Sequence, residues 1–92
     1  MDKKKLTAIQ QHNAKLVDNM APLLVIDKLT DALSVADVEK ITETKGRREQ
    51  VRELIAILFR KRDVLQLCEK FLAALDEVDD THKSIADDIR ST

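Results

Sequence analysis

The amino-acid sequence predicts an all-α protein, a six-helix antiparallel bundle with a bent or broken first helix. Three observations lead to this. The chain of 92 residues has one Gly, one Pro and two aromatic residues, whereas β folds use Gly and Pro in turns and aromatics in strands. Apolar residues, 43% of the chain, recur at the three-and-four spacing of a helix face in six successive segments. Each segment is also bounded by a cap or a stop signal. A chain of this length is expected to form one domain over residues 1–92, with enough apolar side chain for a single core.

The first helix is expected from about Lys3 to Met20, with Leu6, Ile9, Leu16, Val17 and Met20 on one stripe. Gln10, Gln11, His12 and Asn13 interrupt that stripe, so a bend is expected there. Pro22 suits the first turn of a second helix, where its missing N–H is not needed, and Leu23, Ile26, Leu29 and Leu33 would face inward. Ser34 reads as the N-cap of a short third helix, with Asp37 placed as the capping-box acid. Val35, Val38 and Ile41 would be its inner face. Gly46, the only glycine, marks a break or a positive φ angle.

The fourth helix, Arg47 to about Lys61, has the cleanest stripe: Val51, Leu54, Ile55 and Leu58. Asp63 is expected to cap a fifth helix with Val64, Leu67, Cys68, Phe71, Leu72 and Leu75 inside. Asp76–Asp80 reads as an acidic loop, and Asp80 or Thr81 as the cap of a last helix carrying Ile85, Ala86 and Ile89 inward. There is no internal repeat, and no heptad pattern persists long enough for a coiled coil.

Net charge is −1, which gives no general attraction to nucleic acid or to an anionic membrane. Charge is nevertheless graded along the chain. Residues 1–45 hold seven basic and seven acidic side chains, residues 46–62 six and two, and residues 63–92 three and eight. A near-neutral chain divided in this way can attract its own kind. The single Cys68 excludes an internal disulfide and fits a reducing compartment. Lys3, Lys4 and Lys5 lead into a polar stretch, unlike a secretory signal, and the longest apolar run, Ala21–Ile26, is too short to span a bilayer. The expectation is a soluble, cytoplasmic protein.

No catalytic constellation emerges. His12 and His82 lack companions at metal-ligand spacing and read as surface or boundary residues. Cys68 lies on an apolar helix face and reads as a small core residue. One glycine cannot build a phosphate loop, and Asp76–Asp80 lacks the glycine and spacing of a calcium loop. Neither an enzyme nor a cofactor is expected.

The charged faces say more. Arg48 and Arg52, four residues apart, share one side of the fourth helix, and an arginine fork suits carboxylates at protein interfaces. Asp27 and Asp31 have the same spacing on the second helix, and Asp37, Glu39 and Glu43 follow. Local pairing offers the plainer alternative: Glu49 with Arg52, and Lys28 with Asp31, would be solvated ion pairs of little energetic weight. Nucleic-acid binding by Arg47–Arg62 is disfavoured, since Phe59 is the only stacking aromatic there.

In order along the chain come Met1-Asp2-Lys3-Lys4, Leu16-Val17, Ile26-Asp27-Lys28-Leu29, and Ser34–Ile41 ending in Val38-Glu39-Lys40-Ile41. Then follow Gly46-Arg47-Arg48-Glu49-Gln50-Val51-Arg52-Glu53-Leu54-Ile55, Phe71-Leu72, and a short helix after His82. Over nearly its whole length this chain resembles a caspase recruitment domain (CARD) of the death-fold superfamily. Arg47–Ile55 looks like the fourth helix of an initiator-caspase CARD, and the opening segments look like the CARD of an apoptosome scaffold.

The resemblance implies a six-helix death fold that works by CARD–CARD contact, a basic surface of the first and fourth helices meeting an acidic one of the second and third. Lys15, Arg47, Arg48 and Arg52 would form the basic surface; Asp27, Asp31, Asp37 and Glu39 would form the acidic one. The implied function is recruitment or assembly of signalling proteins in apoptosis or inflammatory caspase activation. The partner would be another CARD-bearing caspase or adaptor, self-assembly is permitted, and neither nucleic acid nor membrane is involved. An initiator-caspase prodomain with its catalytic part elsewhere, or a CARD-only decoy, would use the same surfaces. The chain departs from the basic pattern at Asn13, where a caspase-type surface has another arginine.

Overall fold

A computed structural model describes residues 3–61 and 64–92. Among them are seven α-helices and no strand: α1 (Lys3–Gln11), α2 (Asn13–Asn19), α3 (Pro22–Asp27), α4 (Val35–Glu43), α5 (Arg47–Arg60), α6 (Val64–Val78) and α7 (Asp80–Arg90). The count of seven rather than six comes from the expected break in the first helix. His12, with φ −95° and ψ 12°, stands between α1 and α2. Its N–H still donates to Ala8 O at 3.1 Å, and its carbonyl still accepts from Leu16 N at 2.9 Å. The helix therefore bends without coming apart.

The longest helices, α5 and α6, hold the centre. The first packs against α2, α3, α4 and α6, while α6 also meets α1, α3 and α7. Val51, Leu54, Ile55 and Leu58 are buried as the spacing predicts, and Ile57 joins them. From α6 come Leu67, Cys68, Phe71, Leu72 and Leu75, and from α7 Ile85, Ala86 and Ile89. The cap expected at Asp63 lies outside the described residues, as does the side chain of Val64.

Two local signals are realised as expected. Ser34 Oγ accepts from Asp37 N at 3.1 Å, and the Asp37 carboxylate accepts from Ser34 N at 3.2 Å, a complete capping box. Gly46 has φ 91°, left-handed backbone that a side chain rarely adopts; it starts α5.

Three expectations are corrected. The second helix stops at Asp27, and residues 28–33 form turns. Its buried face is Pro22, Val25 and Ile26, with Leu29 and Leu33 buried from the turns. Leu23 lies off that face and is 48% exposed. Val35, the first residue of α4, is 76% exposed, because Val38 and Ile41 turn inward instead. Asp76–Asp80 is not a loop. Helix α6 continues through Asp76 to Val78, and Asp79 alone separates it from α7. Asp79 is the cap, accepting from His82 N at 2.8 Å, and Arg90 clamps Asp76 through two bonds of 3.0 and 2.7 Å. Two of the four carboxylates of this stretch thus serve the fold, Asp79 as a cap and Asp76 in a helix-to-helix ion pair.

Candidate protein-interaction surface

Charge, rather than a cleft, distinguishes the surface. Helix α5 opens with Arg47 and Arg48 in its first turn, an arrangement that opposes the helix dipole, which favours anions there. The tertiary structure explains the first of them. Arg47 Nη1 donates to Val17 O at 2.8 Å and Met20 O at 3.0 Å, and Nη2 donates to Asp18 O at 2.9 Å. These carbonyls lie at the C-terminal end of α2, where a helix lacks internal donors and favours a cation. Arg47 therefore belongs to the fold, and its fork joins α5 to α2.

Arg48 and Arg52 are different. Both are exposed, on one side of α5, and each faces a carboxylate of this chain. Arg48 Nη2 lies 3.5 Å from Asp18 Oδ1, and Arg52 Nη1 holds Glu49 Oε1, the local pair expected from their spacing. Lys15 is not part of this group. It lies on the α7 side of α2, where its ammonium bonds Asp88; that bond, with Lys15's charge, holds the Asp88 carboxyl below the ordinary range.

The carboxylates of the expected acidic surface also divide. Asp37 is enclosed by its capping box and by the Lys61 ammonium at 2.5 Å. Burial alone would raise its pKa, but the Lys61 hydrogen bond, the Ser34 N–H and hydroxyl, and the Lys61 charge together lower it. Asp27, Asp31 and Glu39 are exposed, and their carboxylates make no ion pair or hydrogen bond among the described residues. Asp31 lies in a turn, so it shares no helix with Asp27, and its expected pairing with Lys28 does not form. Beside Asp27 on α3, Leu23 and Leu24 are 48% and 52% exposed.

His82 is the residue most misread from sequence. It is 4% exposed, not a surface residue. Nε2 lies 2.9 Å from the Ala21 amide, which can only donate, so the ring proton is on Nδ1 and goes to Asp79 Oδ1 at 2.7 Å. The two bonds from His82, backbone first, lower the Asp79 pKa. The bond from Ala21 N–H to Nε2 pins the start of α7 to the α2–α3 link. His12, half-buried, bonds Thr92 Oγ1 at 2.9 Å.

Among the described residues, no three His, Cys, Asp or Glu side chains could hold a metal ion together. No described helix is long and apolar enough to cross a membrane.

In comparison with known proteins, the family model described as "Caspase recruitment domain" matches residues 1–92. No curated protein and no solved structure matches this chain.

Proposed function

This chain belongs to the caspase recruitment domain family, a family of protein-interaction modules, and from that premise we propose that it binds another CARD through complementary charge. Arg48 and Arg52 on α5 receive carboxylates of the partner, and Asp27, Asp31 and Glu39 offer carboxylates to a partner's basic face. The observation that carries this reading is the exposure of both arginines on one helix side of a chain whose exposed aspartates lie on other elements. Charge complementarity of this kind steers encounter and fixes orientation more than it adds affinity. The two faces differ, so the contact is head-to-tail, and copies joined in this way form rings or extend into a helical assembly.

The role is non-catalytic: recruitment or assembly of a caspase or adaptor in the cytoplasm, in apoptotic or inflammatory signalling. Asp37 contributes little, because Lys61 already occupies it, and Arg47 supports the face from beneath.

A pull-down against a panel of CARDs over a range of salt concentrations tests this. The bound partner should be lost as salt rises and lost with Arg48→Glu or Arg52→Glu, while helicity and Tm stay near those of the parent chain. Undiminished capture by the Arg48→Glu/Arg52→Glu double variant would refute the assignment.

A further inference from the structure

Both arginines of the proposed face meet a carboxylate of their own chain before any partner arrives. Arg48 lies 3.5 Å from Asp18, with the two side chains 63% and 56% exposed. Arg52 is held by Glu49, and both of these are more than half exposed. The charges of these two arginines and two carboxylates cancel, while that of Arg47 beside them is turned to backbone carbonyls. Pairs this wet exchange readily with competing carboxylates, so the face is screened but not sealed.

The fold keeps the screen in place. Asp18 belongs to α2, far from Arg48 in sequence, and nothing local brings them together. Arg47 does so: its bonds to Val17 O, Asp18 O and Met20 O fix the end of α2 against the first turn of α5. Glu49 needs no such support, standing one turn before Arg52 on the same helix.

We infer that Asp18 and Glu49 are built-in competitors that set the strength and selectivity of the arginine face. A single partner carboxylate gains little by displacing an equivalent internal one. A partner presenting several carboxylates together displaces both, and its fixed geometry spends less entropy per contact. The face thus rejects casual acidic contacts and accepts an ordered acidic surface. This inference rests on the arginine face proposed above and assigns its selectivity to two residues outside it.

The test uses the whole 92-residue chain and a fluorescent oligo-glutamate peptide as a generic carboxylate ligand, read by anisotropy at low salt. Asp18→Asn and Glu49→Gln are each expected to tighten binding about two- to fivefold, the range of exposed ion-pair energies, and together to multiply. The same substitutions are then made in chains carrying Arg48→Ala or Arg52→Ala. There the gain should vanish, although the net charge changes by the same amount. A gain that persists without the facing arginine is a whole-molecule charge effect and overturns the inference, as do unchanged or weakened binding and a double variant that does not bind. A different result, Arg48→Ala/Arg52→Ala binding as well as the parent chain, would fault the arginine face itself.

Discussion

At the start of α5, Arg47 spends its guanidinium on three backbone carbonyls of the α2 end, and Arg48 and Arg52 each meet a carboxylate of the same chain. At the end of α3 and in the turns beyond it, Asp27 and Asp31 stand in solvent with exposed leucines nearby. Charge is woven into the fold in the first region and left on its surface in the second. Side-chain chemistry accounts for much of the difference. Arginine has a long stem and five donors, so it can turn back to a neighbouring helix end. Aspartate has one methylene of reach and serves the fold only where a backbone N–H or a long cation comes to it. Asp37 and Asp76 are such cases, one meeting Ser34 and Lys61, the other Arg90.

The contrast is broken most strongly at Arg47. Arg47→Ala removes three bonds from a charged donor and leaves α2 carbonyls unsatisfied, so a loss of about 2 kcal/mol is expected. In a chain this small that lowers Tm by roughly 10 °C in a thermal melt. A change below about 2 °C would remove Arg47 from the structural account.

An intermediate effect is expected at the α4 cap. Ser34→Ala should cost about 1 kcal/mol by denaturant titration. The acidic partner in that cap gives a pH signature. Asp37 titrates below its ordinary value in the folded chain, so its contribution is full above the unfolded pKa near 4 and is lost as pH falls through the lower folded value. The stability gap between the parent chain and Asp37→Asn should therefore be widest near neutral pH and close from about pH 5 downward. A gap independent of pH would mean that the Asp37 charge is not engaged.

The smallest effect sharpens the comparison from the other side. Asp27→Asn and Asp31→Asn touch no internal bond, so each should change stability by no more than about 0.5 kcal/mol. A larger loss in either would show that the carboxylate side also serves the fold.

Much of the architecture is legible along the chain because its determinants are local. The stripe Val51, Leu54, Ile55, Leu58 is one face of a single helix, and all four are buried. Gly46 takes its left-handed φ for want of a Cβ, and Ser34 and Asp37 close their capping box within one turn. The polar interruption before Asn13 marks the bend at His12. Periodicity was less discriminating for short elements. In α3 the stripes 22, 25, 26 and 23, 26 compete over six residues, and packing, not pattern, exposed Leu23.

The candidate surface was legible only in outline. Spacing put Arg48 and Arg52 on one side of α5, but it could not show that Asp18 screens one of them, or that Lys15 turns away to Asp88. One signal was available: two arginines at a helix N-terminus are unfavourable alone, which hints at carbonyls elsewhere.

By itself the sequence determined where most helices begin and, in the longer ones, which face is apolar, since these depend on residues within a turn or two of each other. The stop at Asp27, the exposure of Leu23 and Val35 and the one-residue break at Asp79 followed from packing. Only the tertiary structure decided what the polar side chains do. Arg47 finds Val17, Asp18 and Met20, His82 finds Ala21, and Arg90 finds Asp76 because packed helices bring distant backbone and charge within reach. A hydrogen bond needs its partner within about 3 Å, and no spacing along one helix specifies what a second helix will bring there.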